Sequence, residues 1–410
     1  MLIAARDEEG RIGVTVRALL AAFPAATVIV ADDGSRDATA AEAELAGATV
    51  LRLPHRGKGQ ALTLAELAAP PGPLLLCDAD LRGDLRPLAA SGADLAIAAF
   101  SRRQGGGFGL AKRIARAAIR SVAAYDAREP LSGQRALSAA ARTACFPVAA
   151  GFGVETRMTI DAARAGLAVE EFEIDLEHRS TGRDLAGFAH RGRQLADLLL
   201  ALGPQATNHR GLRLPLVGAV VALGGLCAPR RSAVAVAAIA AIGLADDLWS
   251  GPERGWRGHL AAGGTTGMLK AVAIPAVGAV ATGSLSGGVL VGLSANALNL
   301  LDTKPGRALK AFLAVAALLR GRSVAPYAGV AVMLAPYDLR EMAMLGDTGS
   351  NALGAVLGLE AVPRLTGRSR LIAIAALGGL TVLGEWRSLG ALIERTPGLR
   401  ELDRAGRQPL

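Results

Sequence analysis

The sequence predicts two domains of different class: an α/β domain built on a parallel sheet, then an all-α, polytopic membrane domain. Three observations carry this. In the first half, short solidly apolar runs alternate with segments of helical period. Acidic residues sit where two of those runs end, at Asp32-Asp33 and at Asp78-Ala79-Asp80. In the second half, long Ala/Val/Leu/Gly stretches are interrupted only by short polar loops. The expected domains are 1–203 and 212–386, with 204–211 as a linker and 387–410 as a cytoplasmic tail.

The α/β elements follow in order. Leu2–Ala5 reads as a short strand, Arg11–Phe23 as a helix, Ala26–Ala31 as a buried strand and Arg36–Ala46 as a helix. Thr49–Leu53 reads as a strand, Gln60–Ala68 as a helix, and Leu74–Cys77 as a strand running into the Asp78/Asp80 pair. Strands that are apolar on both faces, alternating with helices, indicate a parallel sheet covered on both sides. Such sheets bind ligands beyond the carboxyl ends of their strands, where both acidic clusters fall. Asp184–Leu202 reads as a basic amphipathic helix suited to a membrane interface or to packing on the sheet.

From Leu212 onward, apolar segments recur near 212–228, 232–245, 268–284, 287–301, 308–319, 323–336, 350–363 and 370–385. Several are shorter than the ~20 residues of a free-standing span. Taken as spans, they put the loops 246–267, 302–307 and 337–349 and the tail on the side of the first domain. The chain enters an apolar strand at once, with no basic leader segment. The expectation is therefore a multi-pass protein of the cell membrane whose first domain and Asp-bearing loops are cytoplasmic.

Composition agrees. The 410 residues are 51% hydrophobic with a net charge of +9, and the mean hydropathy is +0.35. The positive charge suits anionic headgroups beside membrane helices. Nucleic acid is excluded as a partner, because no basic run is interleaved with aromatics. Cys77, Cys145 and Cys227 stand far apart in apolar settings and form no metal-binding pattern. The oligomeric state is not readable.

Four segments carry the chemistry of the first domain: ARDEEGRI (Ala5–Ile12), VADDGSRDAT (Val30–Thr39), HRGKGQAL (His55–Leu62) and CDADL (Cys77–Leu81). A nucleotide sugar needs hydrogen-bond acceptors for its base and ribose, which Asp7, Glu8 and Asp33 can supply. Its diphosphate needs positive charge, and Lys58 lies in a glycine-flanked turn where backbone can come close. A divalent cation, Mg²⁺ or Mn²⁺, needs hard oxygen ligands, and Asp78 and Asp80 are spaced to offer them. With their neighbours Ala5, Arg6, Asp32, Gly34, Ser35 and Ala79, these form the expected donor site.

On these segments the half-chain resembles the family 2 glycosyltransferases of GT-A fold, close in pattern to the glucosyl-3-phosphoglycerate synthase and polyprenyl-phosphate sugar transferase branches. The resemblance continues in PLSGQRAL (Pro130–Leu137), GFGVETRMTIDA (Gly151–Ala162) and EHRSTGRDLAGFAHRGRQ (Glu177–Gln194), with Ala4 where the family usually has Pro. It implies inverting transfer, with UDP favoured over GDP. It implies an acceptor side at Gly133, Gln134, Arg135 and Arg183, with Glu155 near the acceptor as general base. It makes Asp80 catalytic through a metal shared with Asp78, with His178 as a third ligand.

The second half carries GLADDLWSG (Gly243–Gly251), NALNLLDTKPGRALK (Asn296–Lys310) and MLGDTGSNALG (Met344–Gly354). Ionisable residues among membrane segments are functional candidates. These motifs resemble a truncated polyprenyl-phosphate N-acetylhexosamine-1-phosphate transferase, which implies a second site at Asp246, Asp247, Asn296, Asn299, Asp302 and Asp347. The family's Asp-Gly-x-x-Gly turn is DTKPG here, and its late His-rich loop has no counterpart. Three functions follow as expectations. The first is a membrane-bound glycosyltransferase of cell-envelope glycan or glycolipid synthesis, acting on polyprenyl phosphate or another lipid-linked or membrane-proximal acceptor. The second is a bifunctional enzyme whose membrane half also transfers a sugar phosphate. The third is a non-catalytic membrane scaffold or sensor.

Overall fold

Leu2 and Ile3 point to opposite faces of one sheet, and both are fully buried. That alternation repeats along the sheet of the N-terminal unit and explains its runs of apolar residues. The computed structural model describes residues 1–100, 109–175, 196–249, 266–386 and 389–407. They form two compact units, divided between Pro215 and Leu216.

In the first unit, β1 (Leu2–Ala5), α1 (Ile12–Ala22), β2 (Ile29–Asp32), α2 (Thr39–Leu45), β3 (Thr49–Arg52), α3 (Lys58–Leu67) and β4 (Leu74–Asp78) alternate as expected. After them come α4 (Arg86–Ala89), β5 (Leu95–Phe100), α5 (Gly109–Ala123), β6 (Arg135–Leu137), α6 (Ala139–Cys145), α7 (Val154–Arg164) and β7 (Val169–Ile174). The sheet order is β3-β2-β1-β4-β6-β5-β7. One face packs Ile3, Val30, Leu75 and Cys77 against Ile12, Val16 and Leu19 of α1. The other packs Leu2, Ile29, Leu74 and Leu76 against Ala61, Leu62 and Ala65 of α3 and Val154 and Met158 of α7.

The expected parallel sheet holds for β1–β4 and for β5 with β7, and one strand departs from it. β6 runs antiparallel to both β4 and β5. Its three residues, Arg135–Leu137, carry no pattern long enough to show a direction. The chain order diverges at β1, whose neighbours are β2 and β4, so the carboxyl ends of these strands open the crevice where α/β sheets bind ligands. Register sets Ala5 beside Asp32 and Ala4 beside Asp78. The residues expected as a linker lead through a small antiparallel hairpin, β8 (Gln205–Thr207) with β9 (Arg213–Pro215), inside the first unit. Of the expected amphipathic helix 184–202, residues 196–202 are helical and the rest lies outside the described residues.

The second unit is helical. A 3₁₀ segment (Gly218–Cys227) precedes α8 (Arg230–Trp249), α9 (Thr266–Thr282), α10 (Leu285–Leu301), α11 (Arg307–Leu319), α12 (Ala325–Leu339), α13 (Gly346–Ala361) and α14 (Gly367–Trp386). Two short helices, α15 (Leu389–Arg395) and α16 (Leu399–Arg404), close the chain. Helix α13 is buried along most of its length. Its glycines let it lie on α10: a Cβ at Gly354 would stand 2.6 Å from the Ala295 Cα, and one at Gly358 2.7 Å from the Val291 Cα. Among the described residues, Arg230–Trp249 and Gly367–Gly384 are the helices long and apolar enough to cross a membrane by length and composition. Those of α9 and α10 are apolar but shorter.

Candidate functional site

The loop after β1 is tied to the loop after β2 by side chains. Asp7 N–H donates to Ser35 Oγ at 3.0 Å, Glu8 N–H to Thr39 Oγ1 at 2.7 Å, Glu9 N–H to Asp37 Oδ2 at 3.2 Å and Gly10 N–H to Glu42 Oε2 at 2.8 Å. Asp7, at φ 53°, returns a bond by accepting Arg36 N–H at 2.9 Å. These bonds serve backbone donors that would otherwise be lost at the strand ends, and they account for Ser35, Asp37, Thr39 and Glu42.

The two neighbouring aspartates behave differently. Asp32 closes its own turn by accepting Ser35 N–H at 3.1 Å. Asp33, almost fully buried, reaches across to the loop after β3. Its Oδ1 accepts Arg56 N–H at 2.6 Å, while Oδ2 accepts Gly57 N–H at 2.9 Å and meets His55 Nδ1 at 2.8 Å. His55 Nε2 in turn lies 2.7 Å from the Arg6 guanidinium. Gly34, at φ +74°, lets that loop pass, since a Cβ there would sit 2.8 Å from His55 N. Asp33 is thus the post on which the 55–57 turn is built. His55 joins the site without having been singled out from sequence, through its contacts to Asp33 and Arg6.

That turn delivers Lys58. Gly57 takes φ +96°, and α3 begins at Lys58. Gly59 allows the first turn of α3 to touch the backbone at Ala149, whose carbonyl oxygen any Cβ would overlap. The Lys58 ammonium then donates to Asp78 Oδ1 and to Glu155 Oε1, each at 2.7 Å. Burial alone would push the lysine pKa down. The two carboxylates outweigh it and hold the pKa above the ordinary value, so Lys58 is charged.

Asp78 is placed from several sides. Its N–H donates to Gln134 Oε1 at 3.3 Å. Gly133 packs against its carboxylate, where a Cβ would lie 2.5 and 2.6 Å from the two oxygens. The Ala79 carbonyl accepts the buried Thr15 hydroxyl at 2.8 Å, a tether no motif revealed. Asp80 is half-buried beyond it. Glu155, in the first turn of α7, is buried. So Lys58, Asp78, Gly133, Gln134 and Glu155 are brought together from four segments.

Arg135 is different. It is fully buried, with Nε on the Ser132 carbonyl at 2.8 Å, one terminal nitrogen on Thr159 Oγ1 at 2.9 Å and the other on the Pro130 carbonyl at 3.4 Å. Its side chain knits the 130–135 loop to α7 and points into the protein. Arg183 and His178 lie outside the described residues. Among the described residues no three His, Cys, Asp or Glu side chains converge as metal ligands. Hard oxygen donors that could serve a divalent cation here are the carboxylates of Asp78 and Asp80.

The second unit gathers its own polar group. Asp247 caps α13, accepting the N–H groups of Asp347 and Thr348 at 2.9 Å each and the Thr348 hydroxyl at 2.6 Å. Lys270 bridges Asp246, at 2.8 Å, and Asp347. Asn299 donates to Asp347 Oδ1 at 2.8 Å. Asp302, just beyond α10, lies close enough to Asp347 and Asp247 for their charges to act on it. Five of the six expected residues therefore share one place. Asn296 does not join them; its amide donates to Thr381 on α14 at 2.9 Å. Lys270 is the residue that sequence reasoning passed over.

No curated protein matches this chain. Among solved structures, a mycobacterial protein is 28% identical, covering 49% of this chain and 73% of its own at a TM-score of 0.41. Glucosyl-3-phosphoglycerate synthase from Mycobacterium tuberculosis with phosphoglyceric acid is 25% identical, covering 52% and 85% at a TM-score of 0.42. The same enzyme with Mg²⁺ and uridine diphosphate is 24% identical, covering 49% and 76% at 0.41. At the level of sequence family, residues 1–115, which hold β1–β5 and the Asp33, Lys58 and Asp78 segments, match the model of Glycosyl transferase family 2.

Proposed function

We propose that the first unit transfers a sugar from a nucleotide-sugar donor, a UDP-sugar in preference to a GDP-sugar, to a lipid-linked or membrane-proximal acceptor. The observation that carries this is the joining of Lys58, Asp78 and Glu155 at the carboxyl edge of the sheet, within and next to the segment matched by the family 2 model. The ammonium and the N-terminal turn of α3 both attract a diphosphate. Asp78 and Asp80 would hold Mg²⁺ or Mn²⁺, which when bound stabilises the charge on the departing diphosphate. Glu155 accepts the proton of an attacking hydroxyl; a phosphate acceptor arrives already ionised and needs no base. Gly133 and Gln134 shape the floor on which the acceptor meets the donor.

Membrane attachment is part of the proposal. It is supported by α14, whose apolar window Gly367–Gly384 has no residue buried in the protein, unlike the core helix of a water-soluble bundle. Ile372 on α14 is exposed, and Val272, Val280 and Leu318 are likewise exposed on other helices of the unit. A cell-envelope product follows from a lipid-linked acceptor at the cytoplasmic face of the cell membrane.

The test is sugar transfer by the purified full chain across panels of UDP- and GDP-sugars with polyprenyl phosphate and glycolipid acceptors. Donor turnover that requires Mg²⁺ or Mn²⁺ and vanishes in the Asp78→Ala/Asp80→Ala double variant is the expected result. Donor binding without turnover on every acceptor would instead support a sensor or scaffold.

A second reading concerns the second unit. The gathering of Asp246 and Asp347 on Lys270, with Asn299 on Asp347 and Asp247 on the first turn of α13, favours transfer of a sugar phosphate to polyprenyl phosphate there. Radiolabelled nucleotide monophosphate released on adding polyprenyl phosphate, and lost in Asp302→Asn and Asp347→Asn, would support it. No such release would leave the first unit as the sole enzyme.

A further inference from the structure

Lys58 stands where a cation serving Asp78 would stand, and this has a consequence for the order in which ligands bind. Its ammonium satisfies Asp78 and Glu155 together, at 2.7 Å each. The two partners differ in access: the Asp78 side chain is 33% exposed, the Glu155 side chain 8%. Glu155 is therefore the buried anchor of the bridge, and Asp78 is the end a ligand can reach. Lys58 is also the first residue of α3, following Gly57 at φ +96°, so its Nζ lies beside a helix N-terminus of the kind that receives phosphates. An ammonium offers three donors, of which two are used here.

Resting on the nucleotide-sugar reading above, we propose that Lys58 is a placeholder that keeps the divalent cation away from Asp78 until a nucleoside diphosphate arrives. Without the nucleotide, a divalent cation must enter beside a fixed positive charge and compete with it for the same carboxylate oxygen. With the nucleotide, the diphosphate gives the ammonium a new anionic partner. Lys58 turns from Asp78 toward the phosphates while Glu155 still holds it, and the Asp78 oxygen it held opens to the cation. Cation and diphosphate then bind synergistically. By linkage the factor by which one tightens the other is the same in both directions.

The experiment measures Mn²⁺ affinity of the full chain by electron paramagnetic resonance, with and without saturating UDP, at one fixed pH. Wild type should bind Mn²⁺ at least about tenfold more tightly with UDP than without, a coupling of ordinary size. Lys58→Met, which keeps the stem and removes the charge, should bind Mn²⁺ alone at least about fivefold more tightly than wild type and show a correspondingly smaller UDP effect. Lys58→Arg, which keeps the charge, should bind Mn²⁺ alone as weakly as wild type. An unchanged or weakened Mn²⁺ affinity in Lys58→Met overturns the placeholder. So does a wild type whose Mn²⁺ affinity ignores UDP, a readout that needs no variant to fold. A wild type that binds neither Mn²⁺ nor UDP overturns the nucleotide-sugar reading itself.

Discussion

The Asp33 carboxylate holds the Gly57 N–H at 2.9 Å, and through that bond a strand-end acid fixes where Lys58 stands. Asp33 accepts three bonds from the 55–57 turn. Asp33→Asn keeps the shape but turns an amide N–H₂ toward at least one backbone donor. Hydrogen bonds to a charged group contribute about 1.5–3 kcal/mol each, and a catalytic group displaced by ~1 Å costs roughly 100-fold in rate. The expected outcome is a loss of stability of about 2–3 kcal/mol and a fall in donor turnover of about 100-fold. Urea unfolding and initial rates check the two separately.

Gly133→Ala tests the floor of the site. The added methyl would lie 2.5 Å from one Asp78 oxygen and 2.6 Å from the other, well inside contact distance. Asp78 must move, and the bridge to Lys58 breaks with it. Overpacking of this kind costs about 1–3 kcal/mol. The far-UV circular dichroism should stay that of wild type, while turnover drops at least about tenfold. Retained turnover would show that Asp78 works from another position.

Much of this site was legible because a buried parallel strand leaves a plain trace. Ala26–Ala31 and Leu74–Cys77 are solid apolar runs that end in acids, and β2 and β4 carry those acids to the crevice. What escaped were relations between distant segments. Glu155 reaches Lys58 across 97 residues, and no local period encodes that approach. The resemblance puts Arg135 on the acceptor side, yet it lies on β6, antiparallel between β4 and β5, and its side chain is buried. Asn296 and Asn299 share a motif and lie one turn apart on α10, yet they reach different helices, Thr381 of α14 and Asp347 of α13, so only Asn299 meets Asp347.

The cysteines give a pH-dependent prediction. Cys145 is buried against the Met158 carbonyl. Burial first, then the nearby Asp161, pushes its thiol up to about 12. Burial also raises Cys77, whereas Cys227 is exposed. The folded state therefore holds its two buried protons where the unfolded chain, with thiols near 8.5, has released them. Stability from this source is whole below about pH 8 and declines as pH rises through 9 toward 12. A thiol reagent at pH 8 should label one cysteine in the native protein and three after unfolding. Rapid native labelling of Cys145 would contradict its burial.

Within the second unit, ion pairs fasten α15 and α16 to the 302–310 segment. Arg307, at the start of α11, makes a two-pronged ion pair with Asp403 of α16, both bonds at 2.9 Å and each side chain 5% exposed. Arg407 also pairs with Asp403, and Lys304 pairs with Glu394. Lys310 donates to the Asp403 carbonyl at 2.7 Å. The short helices α15 and α16 bury little of their apolar surface, with Leu392, Leu399 and Leu402 exposed, so these charges fix them beside the 302–310 segment. Removing one partner of a buried pair leaves the other charge unpaired, which costs about 3–5 kcal/mol. Asp403→Ala should therefore release the tail, seen as trypsin cleavage after Arg395 or Arg400 at protease levels that spare wild type. Arg307→Met/Asp403→Leu removes both charges together and should recover most of the protection, because apolar replacement of a whole buried pair is often neutral. Equal cleavage of the single and double variants would show that the bridge orders the tail by its charge and not by filling its space.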